Sequence, residues 1–553
     1  MGMRTVGFVA LLAACASAEE TFLQEVSARV PHAAVQHVRA HEGGALAWIG
    51  DGVFQFDGSA WTPIKAELTA PQPRPETLPK KCPLRDPRVQ VEVGDRIWVG
   101  GPEGAAWHDG KRWHFRAGRR WLPDDRVNDI HVAGDGSAWI ATEGGLAHIE
   151  FKEMALSEKA AVFEKQVRDR HVRYGLVTGC GLGEPGDLST SITGTDDNDG
   201  LWTGMYVAAE CFRYAVTKDE EARRFADESF DAMEKLEALT GIPGFPARSF
   251  VKKGEPTGGG EWHPTADGEW IWKGDTSSDE IVGHFFAFSI YYDLCADDGR
   301  KERVRALVRR TMDHIIEHDW YLVDLDGKPT DWGKWNPKYL SRLTEGFFAR
   351  GLQSLEVLSH LKAAYHITGD EKYQRAYREL IDEHGYARNT IRQKIDLPRI
   401  TNHSDDELAF LSYYPLLQYE KDEELRGIYL ESIERSWKVE APERCPLWDY
   451  IYASAVDEPP SLASAERTLR EIPLDLVEWK VDNGGRPDVK KALFNGRHDE
   501  PQLTRVLPAD ERPIMKWNGN PYKIEGGGNG RGEEAATYWL LPYWMGRHHR
   551  FLD

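Results

Sequence analysis

Residues 201–216, LWTGMYVAAECFRYAV, run through Thr217-Lys218-Asp219 into residues 220–239, EEARRFADESFDAMEKLEAL. The first segment is apolar around its whole circumference, and the second alternates apolar and charged residues at helical spacing. That contrast predicts a buried helix followed by an amphipathic one that covers it. The same pairing recurs three times. Ile281 to Cys295 passes Asp297-Asp298-Gly299 into Arg303 to Ile316, and Gly351 to Ile367 passes Thr368-Gly369-Asp370 into Tyr373 to His384. Leu408 to Tyr419 passes Lys421-Asp422 into Leu425 to Trp437. Weaker helical stretches lie near 155–171, 448–456, 461–471 and 535–546, enough to complete a ring of helical hairpins, an (α/α)6 toroid over residues 152–553. A solenoid of helical repeats is the alternative, but its repeats would be more uniform in length.

Before Phe151 the periodicity is different. Ala47-Trp48-Ile49-Gly50, Ile97-Trp98-Val99-Gly100 and Ala138-Trp139-Ile140-Ala141 repeat one another at the spacing of propeller blades. Asp57-Gly58-Ser59-Ala60-Trp61 and Asp109-Gly110-Lys111-Arg112-Trp113 follow the first two. Alternating apolar residues around Asp-Gly turns predict β-hairpins over residues 34–151. These units resemble the propeller repeats in the periplasmic sensor regions of two-component regulators. A closed propeller takes about four blades or more, so a module with three visible units is expected to be incomplete, to lean on the next domain, or to hide diverged blades.

The 553-residue chain has 41% hydrophobic and 29% charged residues, ordinary for a folded protein and long enough for two domains. Its net charge of −21, with no basic run, argues against a nucleic-acid partner. Residues 1–18 read as an export signal: Arg4, an apolar stretch from Val6 to Ala14, and Ala16-Ser17-Ala18 as the cleavage site. Leu12-Ala13-Ala14-Cys15 resembles a lipobox, so the expected location is secreted or periplasmic, with a lipid-anchored surface protein as the alternative. Membrane contact is expected only through such an anchor. The other cysteines, Cys82, Cys180, Cys211, Cys295 and Cys445, show no C-x-x-C metal knuckle.

Three inner helices begin with clustered acids: Thr195-Asp196-Asp197-Asn198-Asp199-Gly200, Asp275-Thr276-Ser277-Ser278-Asp279-Glu280 and Asn402-His403-Ser404-Asp405-Asp406-Glu407. Helix capping accounts for part of this. It does not explain why the outer helices carry fewer acids, or why Asn402 and His403 stand beside them. In a toroid the inner helices run parallel, so these entries should share one mouth. Converging carboxylates with separated pKa values suit glycoside hydrolysis. The candidate catalytic residues are Asp197, Asp279, His403 and Asp406. Candidate substrate contacts are Asp199, Trp202, Trp262, His263, Glu280, His284, Trp335, Asn402 and Tyr413. The aromatic ones draw on Trp- and Gly-rich loops such as Asp331-Trp332-Gly333-Lys334-Trp335.

The helical part resembles the six-hairpin glycosidase and polysaccharide-lyase superfamily, without a family-specific catalytic signature. The resemblance implies an oligo- or polysaccharide substrate but not the bond broken. Hydrolysis by Asp197, Asp279 and Asp406 is the leading reading. β-Elimination with Asn402, His403 and Tyr413, a His-based epimerase, and a non-catalytic glycan-binding surface protein are the alternatives. No cofactor or metal is required, with Ca²⁺ as the alternative. Asp196, Asp197 and Asp199 crowd as in a Ca²⁺ site, but without the twelve-residue loop and its terminal Glu.

Overall fold

The computed structural model describes residues 19–66, 72–342, 344–394, 402–492 and 502–552. The export signal and Cys15 lie outside the described residues. Among those described, no helix is long and apolar enough to cross a membrane, and the five cysteines are free thiols.

The chain opens with three four-stranded antiparallel sheets. β1 (Thr21–Pro31) precedes a meander of β2 (His37–His41), β3 (Gly44–Ile49), β4 (Gly52–Phe56) and β5 (Trp61–Ile64). The second meander is β6 (Val89–Val93), β7 (Arg96–Gly101), β8 (Gly104–His108) and β9 (Trp113–Arg116). The third is β10 (Val127–Val132), β11 (Ala138–Thr142) and β12 (Gly145–Ala155), completed by β1. Each of the three Trp-centred repeats is thus one sheet, with its Trp on β3, β7 or β11. The Asp-Gly turns work alike: Asp57 accepts from the amides of Ser59 and Ala60, and Asp109 from those of Lys111 and Arg112. Gly58 and Gly110 supply the positive φ, +98° and +87°.

One expectation changes here and another is narrowed. Strand structure starts at Thr21 rather than 34, because β1 pairs along its whole length with β12, from Thr21 opposite Ala155 to Pro31 opposite Gly145. The sheets also do not close into a propeller or barrel. β10 packs against both β2 and β6, and the module leans on the C-terminal part of the chain. Arg116, fully buried, ion-pairs with Glu25 of β1 and with Asp510 at 2.7 Å. Glu511 accepts from the Phe115 amide and pairs with Arg486 at 2.6 Å. Trp121 lies under the Arg116 guanidinium and donates to the Asp510 carbonyl.

Helices follow, outer and inner in alternation. They are α1 (Leu156–Arg170), α2 (Asp199–Thr217), α3 (Glu220–Ala238), α4 (Ser278–Leu294), α5 (Asp298–Glu317), the short α6 (Pro337–Arg342) and α7 (Thr344–Thr368). Then come α8 (Glu371–Asp382), the short α9 (Tyr386–Thr390), α10 (His403–Tyr419), α11 (Glu423–Glu440), α12 (Pro446–Ala455), α13 (Ala463–Glu471) and α14 (Thr537–His548). α2, α4, α7, α10, α12 and α14 touch in sequence, and α14 returns to α2, so six inner helices form a closed ring. α1, α3, α5, α8, α11 and α13 pack outside it. The inner helices are buried nearly all round, as their unbroken apolar sequences require. The body is not wholly helical, however. Loops that lead into the inner helices fold as short antiparallel strands, such as Phe250–Lys252 with Trp270–Lys273 and Tyr321–Val323 with Pro329–Lys334.

α2 and α4 approach through glycine. A Cβ on Gly204 would sit 2.6 Å from the Gly283 carbonyl oxygen, and one on Gly283 would sit 2.7 Å from Leu201 Cα. The obstacle is backbone, which cannot rotate away. Gly204→Val is therefore expected to cost about 1–3 kcal/mol by overpacking, read as a lowered denaturation midpoint. Gly427→Ala, where a Cβ meets nothing within 4 Å, is the control and should leave the midpoint unlowered.

Candidate active site

The N-termini of α2, α4, α7 and α10 open onto one cleft of about 400 Å³. Asp197 reaches it from the α2 entry and Asp279 from α4, while Asn402, Asp405 and Asp406 reach it from α10. The α7 side contributes Phe348 and Gln353, and the strand Pro329–Lys334 contributes Trp332. Trp332 is 64% exposed and Phe348 49% exposed, so two aromatic rings stand open at the cleft.

Local bonding fixes each entry. Arg248 donates from Nε to the Asp275 carbonyl (2.6 Å) and from Nη1 to the Asp197 carbonyl (3.1 Å), which ties the α2 and α4 entries together. Asn402 caps α10 by accepting from the Ser404 amide, and its Nδ2 donates to Asp405 Oδ1 at 2.8 Å. Asp406 accepts two bonds from Lys394 Nζ, at 2.5 and 2.6 Å, and Lys394 also pairs with Glu440 at 2.6 Å.

The acids of the cleft differ in proton affinity. Burial, reinforced by the Asp406 and Asp279 charges, pushes Asp405 up to about 7. Burial and Glu440 push Asp406 up to about 6 against the pull of Lys394. Asp197, largely exposed, is held below the usual carboxylate range by its bond to Lys273. Asp405 therefore holds its proton well above the ordinary carboxylate range, whereas Asp197 gives its own up below it. If Asp405 acts as an acid, its function is present below its pKa and lost as pH rises through it. The alkaline limb of kcat/KM is thus expected near pH 7, and Asp405→Asn should abolish that limb in a pH–rate profile.

Behind this surface lies a second layer of buried titratable groups. Glu280, Glu356 and Glu407 are at most 1% exposed. Burial raises all three, Glu407 to about 8 and the other two well above their ordinary value. Glu356 accepts from Trp335 Nε1 at 2.8 Å. His284 and His360, one turn beyond Glu280 and Glu356, are buried and pushed down to about 4 and about 3.

The sequence candidates thus separate. Asp197, Asp279, Asp406 and Asn402 meet at the cleft. Asp199, Glu280, His284 and Trp335 lie beneath it; Asp199 accepts from Ser249 Oγ and stands 3.5 Å from Arg173. His403 turns away into a buried site 3.5 Å from Glu443. Tyr413 points its hydroxyl at Ser432 on α11, 2.6 Å away, and so does not face the cleft. Trp202 packs under Lys516 instead of lining the cleft. Trp262 and His263 sit on a hairpin to one side, against Lys273 and Trp272. The spacing argument leaves out Asp405, Arg248, Trp332 and Phe348. Asp405 stands in the same acidic motif, and Trp332 three residues before Trp335. What the sequence lacks is the direction each side chain takes.

Three groups of His, Cys and acid side chains bring donor atoms within 4.8 Å: His171-Cys180-Glu533, Glu25-His114-Asp510 and His403-Glu440-Glu443. In each, at least one carboxylate already serves a cation. Glu533 takes a bidentate pair from Arg170, Glu25 pairs with Arg116, and Glu440 with Lys394. Of the crowded acids at the α2 entry, Asp197 turns to Lys273 and Asp199 to Ser249.

No protein-family model matches the chain, and no curated protein does. Among solved structures it is similar to a polysaccharide lyase (11% identity, 72% of this chain and 98% of that one, TM-score 0.37). It is also similar to a sugar epimerase from a ruminal bacterium (12%, 71% and 100%, TM-score 0.38). A third similar structure is a thermostable endoglucanase from Alicyclobacillus acidocaldarius (12%, 82% and 96%, TM-score 0.36).

Proposed function

We propose that the protein is an exported carbohydrate-active enzyme, a glycoside hydrolase working by carboxylate acid–base catalysis. The observation that carries this reading is the convergence of Asp279, Asp405 and Asp406 from two inner-helix entries into one cleft with exposed aromatic rings. Asp405, which keeps its proton to about pH 7, gives that proton to the leaving glycosidic oxygen. Asp279 takes one from the water that attacks the anomeric carbon. Trp332 and Phe348 offer flat apolar faces to sugar rings, and Arg248, Gln353 and Asn402 offer polar contacts to hydroxyls. Hydrolysis is favoured over elimination because the cleft offers several carboxylates, while its basic side chains are engaged, Lys394 by Asp406 and Glu440 and Arg248 by backbone carbonyls. Residues 1–18 support export.

The test is a panel of neutral and uronic polysaccharides, followed both by new reducing ends and by ultraviolet absorbance of unsaturated products. Reducing ends without the absorbance are expected. Absorbance would establish elimination, and inactivity on the whole panel would favour a non-catalytic glycan-binding protein.

A further inference from the structure

Next to the cleft, where the last inner helix meets the first, a small cavity of about 20 Å³ lies between α2, α10 and α14. Four of its lining residues carry buried polar atoms that have no hydrogen-bond partner in the protein: Trp202 Nε1, Glu407 Oε1, Thr537 Oγ1 and the Tyr538 hydroxyl. All four residues are at least nine-tenths buried, at 8%, 1%, 5% and 4% exposure. Native proteins leave few such groups unsatisfied, and four around one cavity call for a common partner.

The chemistry of the four narrows what that partner is. An indole N–H only donates, which rules out a bare cation as the shared ligand. Glu407 in the same wall disfavours an anion, and the wall's cation, Lys516, is already answered by Glu534 at 3.6 Å and Asp196 at 4.0 Å. A neutral molecule able to donate two hydrogen bonds and accept two matches all four groups. Size completes the identification, because a cavity takes one water from roughly 10–15 Å³ upward.

We infer that this cavity is a built-in site for a single water molecule. The water accepts from Trp202 Nε1–H, donates to Glu407 Oε1, and completes its bonds with the two hydroxyls, which can act in either sense. Its role is to reinforce the seam where the ring closes. α14 follows α2 by more than 300 residues in sequence, and a shared water adds a polar link from this directly packed pair to α10. It also fixes Glu407 immediately behind Asp406, a residue of the cleft wall.

A crystal structure of the full chain at near-atomic resolution tests this. The expected result is an ordered oxygen within hydrogen-bond distance of at least three of the four atoms. Density lacking there, or the four groups bonded directly to one another, would overturn the inference. Thermal unfolding gives an independent check. Thr537→Ser keeps the hydroxyl and should leave the unfolding temperature within a degree or so of wild type. Thr537→Val removes one of the four bonds and should lower it clearly further. A Val variant as stable as the Ser variant would mean that the hydroxyl has no partner, and the site would fall.

Discussion

Asp279→Asn is expected to lower turnover on the best polysaccharide substrate by about 10²–10⁴-fold with little change in unfolding temperature. Asp279 stands in the first turn of α4, half-exposed and open to the cleft. The amide keeps its shape and can still lie against the helix N-terminus, but it cannot take a proton from water. The neighbouring Glu280 makes the contrast. It is fully buried, and its Oε2 would lie 1.9 Å from a Cβ on Gly200, so replacing it should disturb packing and activity together. Kinetics combined with thermal unfolding separates the two effects. A fall in both for Asp279→Asn would make that aspartate a structural residue rather than a base.

Arg116→Ala is expected to cost about 3–5 kcal/mol, because it strands the buried carboxylate of Asp510 and the half-buried one of Glu25, which the guanidinium now neutralises. These carboxylates come from β1 and from the segment before α14, so the loss falls on the junction between the β sheets and the helical ring. Denaturant unfolding should show a lowered midpoint, and limited proteolysis should show earlier cleavage within residues 19–155. Unchanged proteolysis and an unchanged midpoint would mean that the sheets are held by other contacts.

The helical ring was legible because its signal is local. A segment such as 201–216, apolar on every face, has no stable place except between other elements, and each is followed by an amphipathic cover. The acidic entries were legible for a topological reason, since parallel inner helices bring their starts to one side. What stayed hidden is non-local or directional. Nothing near Thr21 announces that it will pair with Ala155, and nothing near Arg116 announces Asp510. Within Asn402-His403-Ser404-Asp405-Asp406-Glu407, successive side chains fan about 100° apart around the helix. His403 consequently faces Glu443, Asp405 and Asp406 face the cleft, and Glu407 faces the interior. The sequence presents all of them as one acidic run. Trp332 and Trp335 illustrate the same limit: one stands exposed at the cleft and the other is fully buried against Glu356.

The role of Asp405 as proton donor is the centre of the functional account, and leaving-group dependence in Asp405→Asn tests it most directly. A natural glycosidic oxygen needs a proton to depart, whereas a dinitrophenolate does not. Once the preferred sugar is known, Asp405→Asn should lose about 10²–10⁴-fold on the polysaccharide yet hydrolyse the dinitrophenyl glycoside of that sugar at close to the wild-type rate. Equal losses on both substrates, or no loss on either, would contradict it.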